Sequence, residues 1–205
     1  MRRRGLLISA AALTALSPLR DAQAGAQVEE PLADAVRSAL SSAVANSAPP
    51  KPRFNQVEER LAYLRWLGEM SERLKKRLSE AQTRIEFLET VWYESRRAGL
   101  EPSLVLGLIQ VESGFRKYAI SVAGARGYMQ VMPFWARVIG DGNASHLFHM
   151  QTNLRFGCVI LRHYLDREKG DLFLALGRYN GSRGKAEYPN LVFGARKRWL
   201  MPGEA

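Results

Sequence analysis

The 205-residue chain is 46% apolar and 24% charged, with 17 Gly and 9 Pro, which suits one globular domain with extras and excludes whole-chain disorder or a collagen-like repeat. Its single cysteine, Cys158, excludes an internal disulfide and a cysteine-rich zinc finger. The net charge of +10 speaks of anionic partners rather than of fold.

Arg2, Arg3 and Arg4 precede an apolar run from Gly5 to Leu16, and Ala22-Gln23-Ala24 is an A-x-A cleavage pattern. This is the layout of a secretory signal peptide over residues 1–24, with an apolar run too short to span a bilayer. The paired arginines before Gly5-Leu6-Leu7 also fit a twin-arginine signal. With no cysteine near the cleavage pattern, no lipid anchor is expected. Removing residues 1–24 takes away four Arg and one Asp, leaving 26 basic and 19 acidic residues. For an exported, periplasmic chain that balance points to cell-wall polymer or phospholipid head groups and away from nucleic acid. A solvated basic surface without a dedicated partner is the plain alternative.

Residues 25–53 are rich in Ala, Ser and Pro and read as a linker, stopped by Pro49-Pro50 and Pro52. Leu32, Val36, Leu40 and Val44, spaced by four, permit a short amphipathic helix within it. From Phe54 the pattern turns helical, with Val57, Leu61, Leu64, Leu67, Met70, Leu74 and Leu78 recurring at threes and fours. Ser79 with Gln82 resembles a capping box opening a second helix, which carries Ala81, Ile85, Leu88 and Trp92 on one face and ends near Gly99. A packed helical hairpin is the reading for 54–98, and an envelope protein partner could dock there; a coiled coil is the alternative, weakened by its interruptions.

Pro102 suits the first turn of a third helix, and Leu104–Val111 is apolar except for Gly107 and Gln110, so this segment belongs at the centre. A buried strand of that length is the competing assignment. A loop-rich stretch over 113–133, a short helix at 134–140, a turn at Asp141-Gly142-Asn143 and a helix over 152–169 follow. Asp171 then caps a last helix running through Gly177. Arg196-Lys197-Arg198-Trp199 reads as the start of a solvated basic tail over 196–205. The fold class expected is mostly α.

Glu112 closes the most apolar stretch of the chain. An ionised carboxylate loses hydration on burial, so a partly buried one is pushed toward the protonated form a general acid needs. From position alone two readings stand: such an acid, or an exposed helix-end residue paired with Arg116.

Glu112-Ser113-Gly114-Phe115 is followed by Ser121-Val122-Ala123-Gly124-Ala125-Arg126-Gly127-Tyr128-Met129-Gln130-Val131-Met132-Pro133. Asn153-Leu154 with Gly157 and Tyr164-Leu165 come next, then Ala175-Leu176-Gly177-Arg178-Tyr179-Asn180-Gly181. In order and spacing these blocks resemble the lytic transglycosylases with a soluble-lysozyme-like (goose-type) domain, over roughly residues 90–190. Tyr128 departs from the usual Leu, Arg178 from a common Ala, and Gly181-Ser182 from Ala-Gly; none touches the acid, and all bear on substrate preference.

The resemblance implies a lysozyme-like helical catalytic domain over 90–195, preceded by a helical segment over 54–89. It implies Glu112 as acid/base, with Ser121, Gln130 and Met132 lining a sugar groove and Ser121 bonding the substrate's N-acetyl group. Tyr179 would hydrogen-bond and tune Glu112, and Asn180 would hold its motif together. Residue habits leave other roles open: Met132 and Tyr179 as core, Gln130 bonded only to backbone, Ser121 as a turn residue, Gly124 and Gly127 as loop residues.

Ordinary glycosidases use two carboxylates, yet after Glu112 the next acidic residues are Asp141 and Asp166. A single acid suits substrate-assisted chemistry. The reaction implied is cleavage of the N-acetylmuramic acid–N-acetylglucosamine bond in peptidoglycan glycan strands, closing a 1,6-anhydro ring. The resemblance implies no metal or other cofactor, and His146, His149 and His163 lack a matching ligand set. A hydrolytic muramidase on the same fold and a non-catalytic wall-binding protein are the alternatives. Cys158 reads as a buried small hydrophobe.

Overall fold

The three-and-four periodicity becomes helices throughout a computed structural model that describes residues 27–45 and 52–202. These are α1 (Asp34–Ala45), α2 (Val57–Leu74), α3 (Ala81–Arg97), α4 (Pro102–Glu112), α5 (Pro133–Ile139), α6 (Met150–Arg167), α7 (Leu172–Asn180) and α8 (Glu187–Arg196). Short 3-10 turns lie at Ala144–Phe148 and Lys197–Trp199. Among the described residues there is no strand, only bridges joining Ile120 to Arg126 and Arg126 to Val131. The fold is mostly α, as expected. The signal peptide reading and Pro49-Pro50 fall outside the described residues.

The segment expected as a linker over 25–53 holds α1, packed against α5 and α6. Upstream of it Gln27 is buried, accepting a bond from Trp135 Nε1 at 2.8 Å and donating to the Tyr179 carbonyl. Glu30 pairs with Arg167 and Arg178. Composition misled here: small residues suit close packing as well as flexibility.

In the hairpin α2 packs on α3, and the expected stripe turns inward only in its C-terminal half. Val57, Leu61 and Leu64 are exposed, while Tyr63, Trp66, Met70 and Leu74 are buried. Aromatic area decides the rotation: Tyr63 and Trp66 lie 5.2 and 4.8 Å from the Trp92 ring of α3, and Phe54 lies 5.1 Å from Tyr63. The α3 cap is Glu80 rather than Ser79; its carboxylate accepts from the backbone N–H groups of Gln82, at 2.8 Å, and Thr83. A carboxylate there also meets the positive end of the helix dipole.

α4 is a helix, as its apolar run allowed, and packs on α8. At Gly107 a Cβ would lie 2.7 Å from the Arg196 backbone nitrogen, so only glycine lets the two helices approach this closely. α3 is joined to α6 by a buried ion-pair set: Glu94, fully buried, accepts from Arg155 Nε at 2.9 Å and pairs with Arg97 at 2.8 Å. α7 begins as predicted, with Asp171 accepting from Leu174 N at 2.9 Å, but runs to Asn180 and is followed by α8.

The expected solvated tail over 196–205 is docked as far as it is described. Trp199 is buried 5.2 Å from the Phe115 ring and donates to Gln110 Oε1 at 3.1 Å. Arg73 donates to the Arg198 and Leu200 carbonyls at 2.8 and 2.9 Å. The indole area outweighs the charge of the neighbouring cations.

Candidate active site

α4 ends where Ser113 leaves the helix and Gly114 and Phe115 both take positive φ, 58° and 69°. The Ser113 hydroxyl donates to the Tyr128 carbonyl at 2.7 Å and accepts from Phe115 N at 3.2 Å, tying this turn to the loop that carries Gln130. Glu112 is thereby fixed at the C-terminal end of a buried helix, where the helix dipole adds to the cost of a negative charge.

Only 8% of Glu112 is exposed. Burial pushes its carboxyl up to about 8, against the opposing effect of a hydrogen bond from Tyr188. The Tyr188 hydroxyl donates to Oε1, while Oε2 is buried without a partner among the described residues. Oε2 is therefore the oxygen positioned to hold a proton and release it. No salt bridge to Arg116 forms; the Arg116 Nε bonds the Ser113 carbonyl at 2.9 Å.

The expected Tyr179–Glu112 hydrogen bond is corrected. Tyr179 donates to the Met129 carbonyl at 2.8 Å, buttressing the loop behind the acid, and Tyr188 takes the place beside the carboxyl. Both phenols are held well above their ordinary pKa, first by burial and next by Glu112, so they act as donors and not as bases. The reason is positional. Tyr179 lies on α7, whose end is turned toward Met129, whereas Tyr188 sits in the first turn of α8, against α4.

The other expected site residues fall in different settings. Gln130, at φ 49°, is buried, and its amide donates to the Ala119 and Gly127 carbonyls at 3.1 and 2.9 Å, so it braces the loop. Ser121 is half-buried in a turn closed by its N–H on the Ala125 carbonyl at 3.1 Å. Its Oγ accepts from Ala125 N at 3.1 Å, which leaves the hydroxyl hydrogen free to donate. Met132, half-buried, is the N-cap residue of α5. Asn180 ends α7, donates to Ser182 Oγ at 2.9 Å, and keeps a buried Oδ1 without a partner among the described residues.

Asn153 had no assigned role in the sequence reading, yet it pins the loop. Its Oδ1 accepts from Met129 N at 2.8 Å, and its Nδ2 donates to the Arg126 and Leu147 carbonyls at 2.8 and 2.7 Å. A fully buried asparagine within the apolar pattern of α6 was the available signal. Gly127, at φ 75°, lies where a Cβ would come 2.6 Å from the Leu147 carbonyl oxygen, so the loop closes on the 3-10 turn at Ala144–Phe148 only with glycine there. Of the departures, Tyr128 is buried 5.0 Å from the Phe87 ring, and Arg178 bonds Glu168 and Glu30. His146 pairs with Asp141 at 2.6 Å and stacks on His149. Cys158 is buried, which raises its thiol pKa and leaves it unreactive.

The family model of the transglycosylase SLT domain matches residues 89–201. The chain is 36% identical over 104 residues to a protein named transglycosylase from Enterobacteria phage PRD1, covering 51% of this chain and 38% of that one. It is 42% identical over 84 residues to membrane-bound lytic murein transglycosylase C of Mannheimia succiniciproducens, covering 37% of this chain and 24% of that one. The chain thus covers well under two thirds of either relative. An inactive mutant of the lytic transglycosylase Slt from Pseudomonas aeruginosa is similar in structure, with a TM-score of 0.44 and 22% identity, over 68% of this chain and 27% of that one.

Proposed function

The chain belongs to the transglycosylase SLT domain family, and from that premise we propose that it is a lytic transglycosylase acting on the glycan strands of peptidoglycan. The observation that carries this reading is the state of Glu112: a buried carboxyl held near pKa 8 with a phenol as its one hydrogen-bond partner. Two-carboxylate glycosidases need a second acid at about 5–10 Å. Here the shift of Glu112 has two causes, burial and Tyr188, and no neighbouring carboxylate contributes.

In the proposed reaction Oε2 of Glu112 gives its proton to the glycosidic oxygen as the C1–O bond breaks between N-acetylmuramic acid and N-acetylglucosamine. The resulting carboxylate then takes the proton from the C6 hydroxyl, whose oxygen closes onto C1 as a 1,6-anhydro ring. The proton count balances and no water is consumed. Ser121 would donate its free hydroxyl hydrogen to the N-acetyl carbonyl. Gln130, Tyr179 and Asn180 would act by holding the loop and the end of α7, and Met132 by lining the substrate path.

Export to the periplasm, with residues 1–24 as signal peptide, belongs to the same proposal, and the basic balance of the mature chain would draw it to the carboxylates of the wall. No helix among the described residues is long and apolar enough to cross a membrane. An envelope partner at the hairpin would meet the exposed Val57, Leu61 and Leu64 of α2.

Mass spectrometry of products from purified sacculi tests the reaction. Anhydro-ended muropeptides are expected; reducing ends would make the protein a hydrolytic muramidase, and absence of products would leave a wall-binding protein.

A further inference from the structure

The loop after Glu112 is firmly built yet displays apolar side chains to solvent. Gly127 N and the Gln130 amide both bond the Ala119 carbonyl, at 2.9 and 3.1 Å, and Ser121 closes its own turn on Ala125. On this frame Tyr118 is 71% exposed, and Ile120 and Val122 are exposed on either side of Ser121. A braced loop has no folding reason to spend three large apolar residues on water.

Tyr118 has company. The Phe148 ring lies 5.9 Å away at 47°, Lys117 Nζ lies 5.3 Å over Tyr118, and the Arg126 guanidinium lies 5.5 Å over Phe148. Between Glu112 and Asp141 the chain carries Arg116, Lys117, Arg126 and Arg137 and no acidic residue. The surface therefore combines two aromatic rings with a cation over one face of each.

We propose that Tyr118 and Phe148 form a sugar-ring platform that extends strand binding beyond the Ser121 turn, with Lys117 and Arg126 taking carboxylates of the peptide stems. The proposal rests on the reading of the chain as an enzyme of peptidoglycan. A pyranose presents an apolar C–H face that packs on an aromatic ring, and tyrosine offers such area at low entropic cost. A bare polysaccharide would need the rings but not the cations. A lipid surface would also draw cations beside an apolar tip, but here Ser121 divides that tip and the two rings are paired beside each other, which suits a sugar face. Tyr118 follows Glu112 by six residues, so the backbone alone limits their separation to about 20 Å, within the course of one bound strand.

The test measures binding of peptide-bearing glycan strands to the full mature chain carrying Glu112→Gln, which prevents turnover. Adding Tyr118→Ala is expected to weaken binding on the order of tenfold, the scale of one aromatic contact, and Tyr118→Trp to restore it. Strands stripped of peptides by an amidase should keep the Tyr118 effect and lose that of Lys117→Ala with Arg126→Ala. Unchanged affinity with Tyr118→Ala in a folded protein would overturn the platform. So would loss of binding to phosphatidylglycerol vesicles with strand binding intact, which would assign the tip to a lipid surface. Products of the unsubstituted protein on the same strands keep the two readings apart: absent anhydro ends sink the proposed reaction, while normal cleavage with unaltered Tyr118→Ala binding sinks only the platform.

Discussion

Glu94 and Glu112 are both buried glutamates on neighbouring helices of one core, and they are solved in opposite ways. Glu94 is fully buried between two guanidinium groups, Arg155 and Arg97, so its charge is matched inside the protein. Glu112 faces no cation, only the Tyr188 hydroxyl, and burial lifts it to about 8. Burial by itself does not make a catalytic acid. Burial with the counter-charge withheld leaves a carboxyl that keeps its proton near neutral pH, as the proposed reaction requires, whereas the arginines paired with Glu94 stand on α3 and α6.

The sharpest way to break that contrast is Glu112→Gln, expected to lower anhydro-product formation about 10³-fold while the far-ultraviolet spectrum is retained. Glu94→Ala should do the reverse, leaving the buried Arg155 uncompensated and costing about 3–5 kcal/mol in urea unfolding; a loss below about 1 kcal/mol would show that the pair is not matched as described. Linkage gives a third test. A carboxyl raised in the fold contributes stability that is full below its ordinary value of 4.5, shrinks as pH rises and is gone above about 8. The parent chain should therefore lose a few kcal/mol, in order of magnitude, between pH 5 and pH 9 relative to Glu112→Gln; parallel curves would mean the carboxyl is not raised.

Tyr188→Phe removes the one interaction that lowers the Glu112 pKa, so the alkaline limb of the rate profile, where the acid is lost, should move to higher pH. Turnover at neutral pH should fall roughly tenfold. Tyr179→Phe should move that limb less, because its hydroxyl bonds the Met129 carbonyl. The smallest effect is expected at the α3 cap, where Glu80→Ala should lower the thermal unfolding midpoint slightly by freeing the Gln82 and Thr83 N–H groups.

Helix periods were legible where apolar spacing and helix geometry share one repeat, and the Asp171 cap of α7 was readable directly, whereas the unbroken apolar run of α4 allowed a strand as well. Which face turns inward was not. On α2 the leucine stripe is outvoted by Tyr63 and Trp66, whose partner Trp92 lies on another helix. Glu112 stood out at the end of an apolar run, though position alone left an Arg116-paired helix end open, and its partner Tyr188 lies 76 residues away in a stretch with no strong pattern. The docking of Trp199 was hidden by the three cations before it. Long-range pairings of this kind are set by tertiary packing, which local spacing does not encode.

The closeness of α4 and α8 at Gly107 bears on Glu112 as well. Glu112 precedes in the chain both its hydroxyl partner and the helix that covers its flank, which come only with residues 187–196. Anything that keeps α8 off α4 therefore takes the phenol away, opens the carboxyl to water and returns it toward an ordinary glutamate.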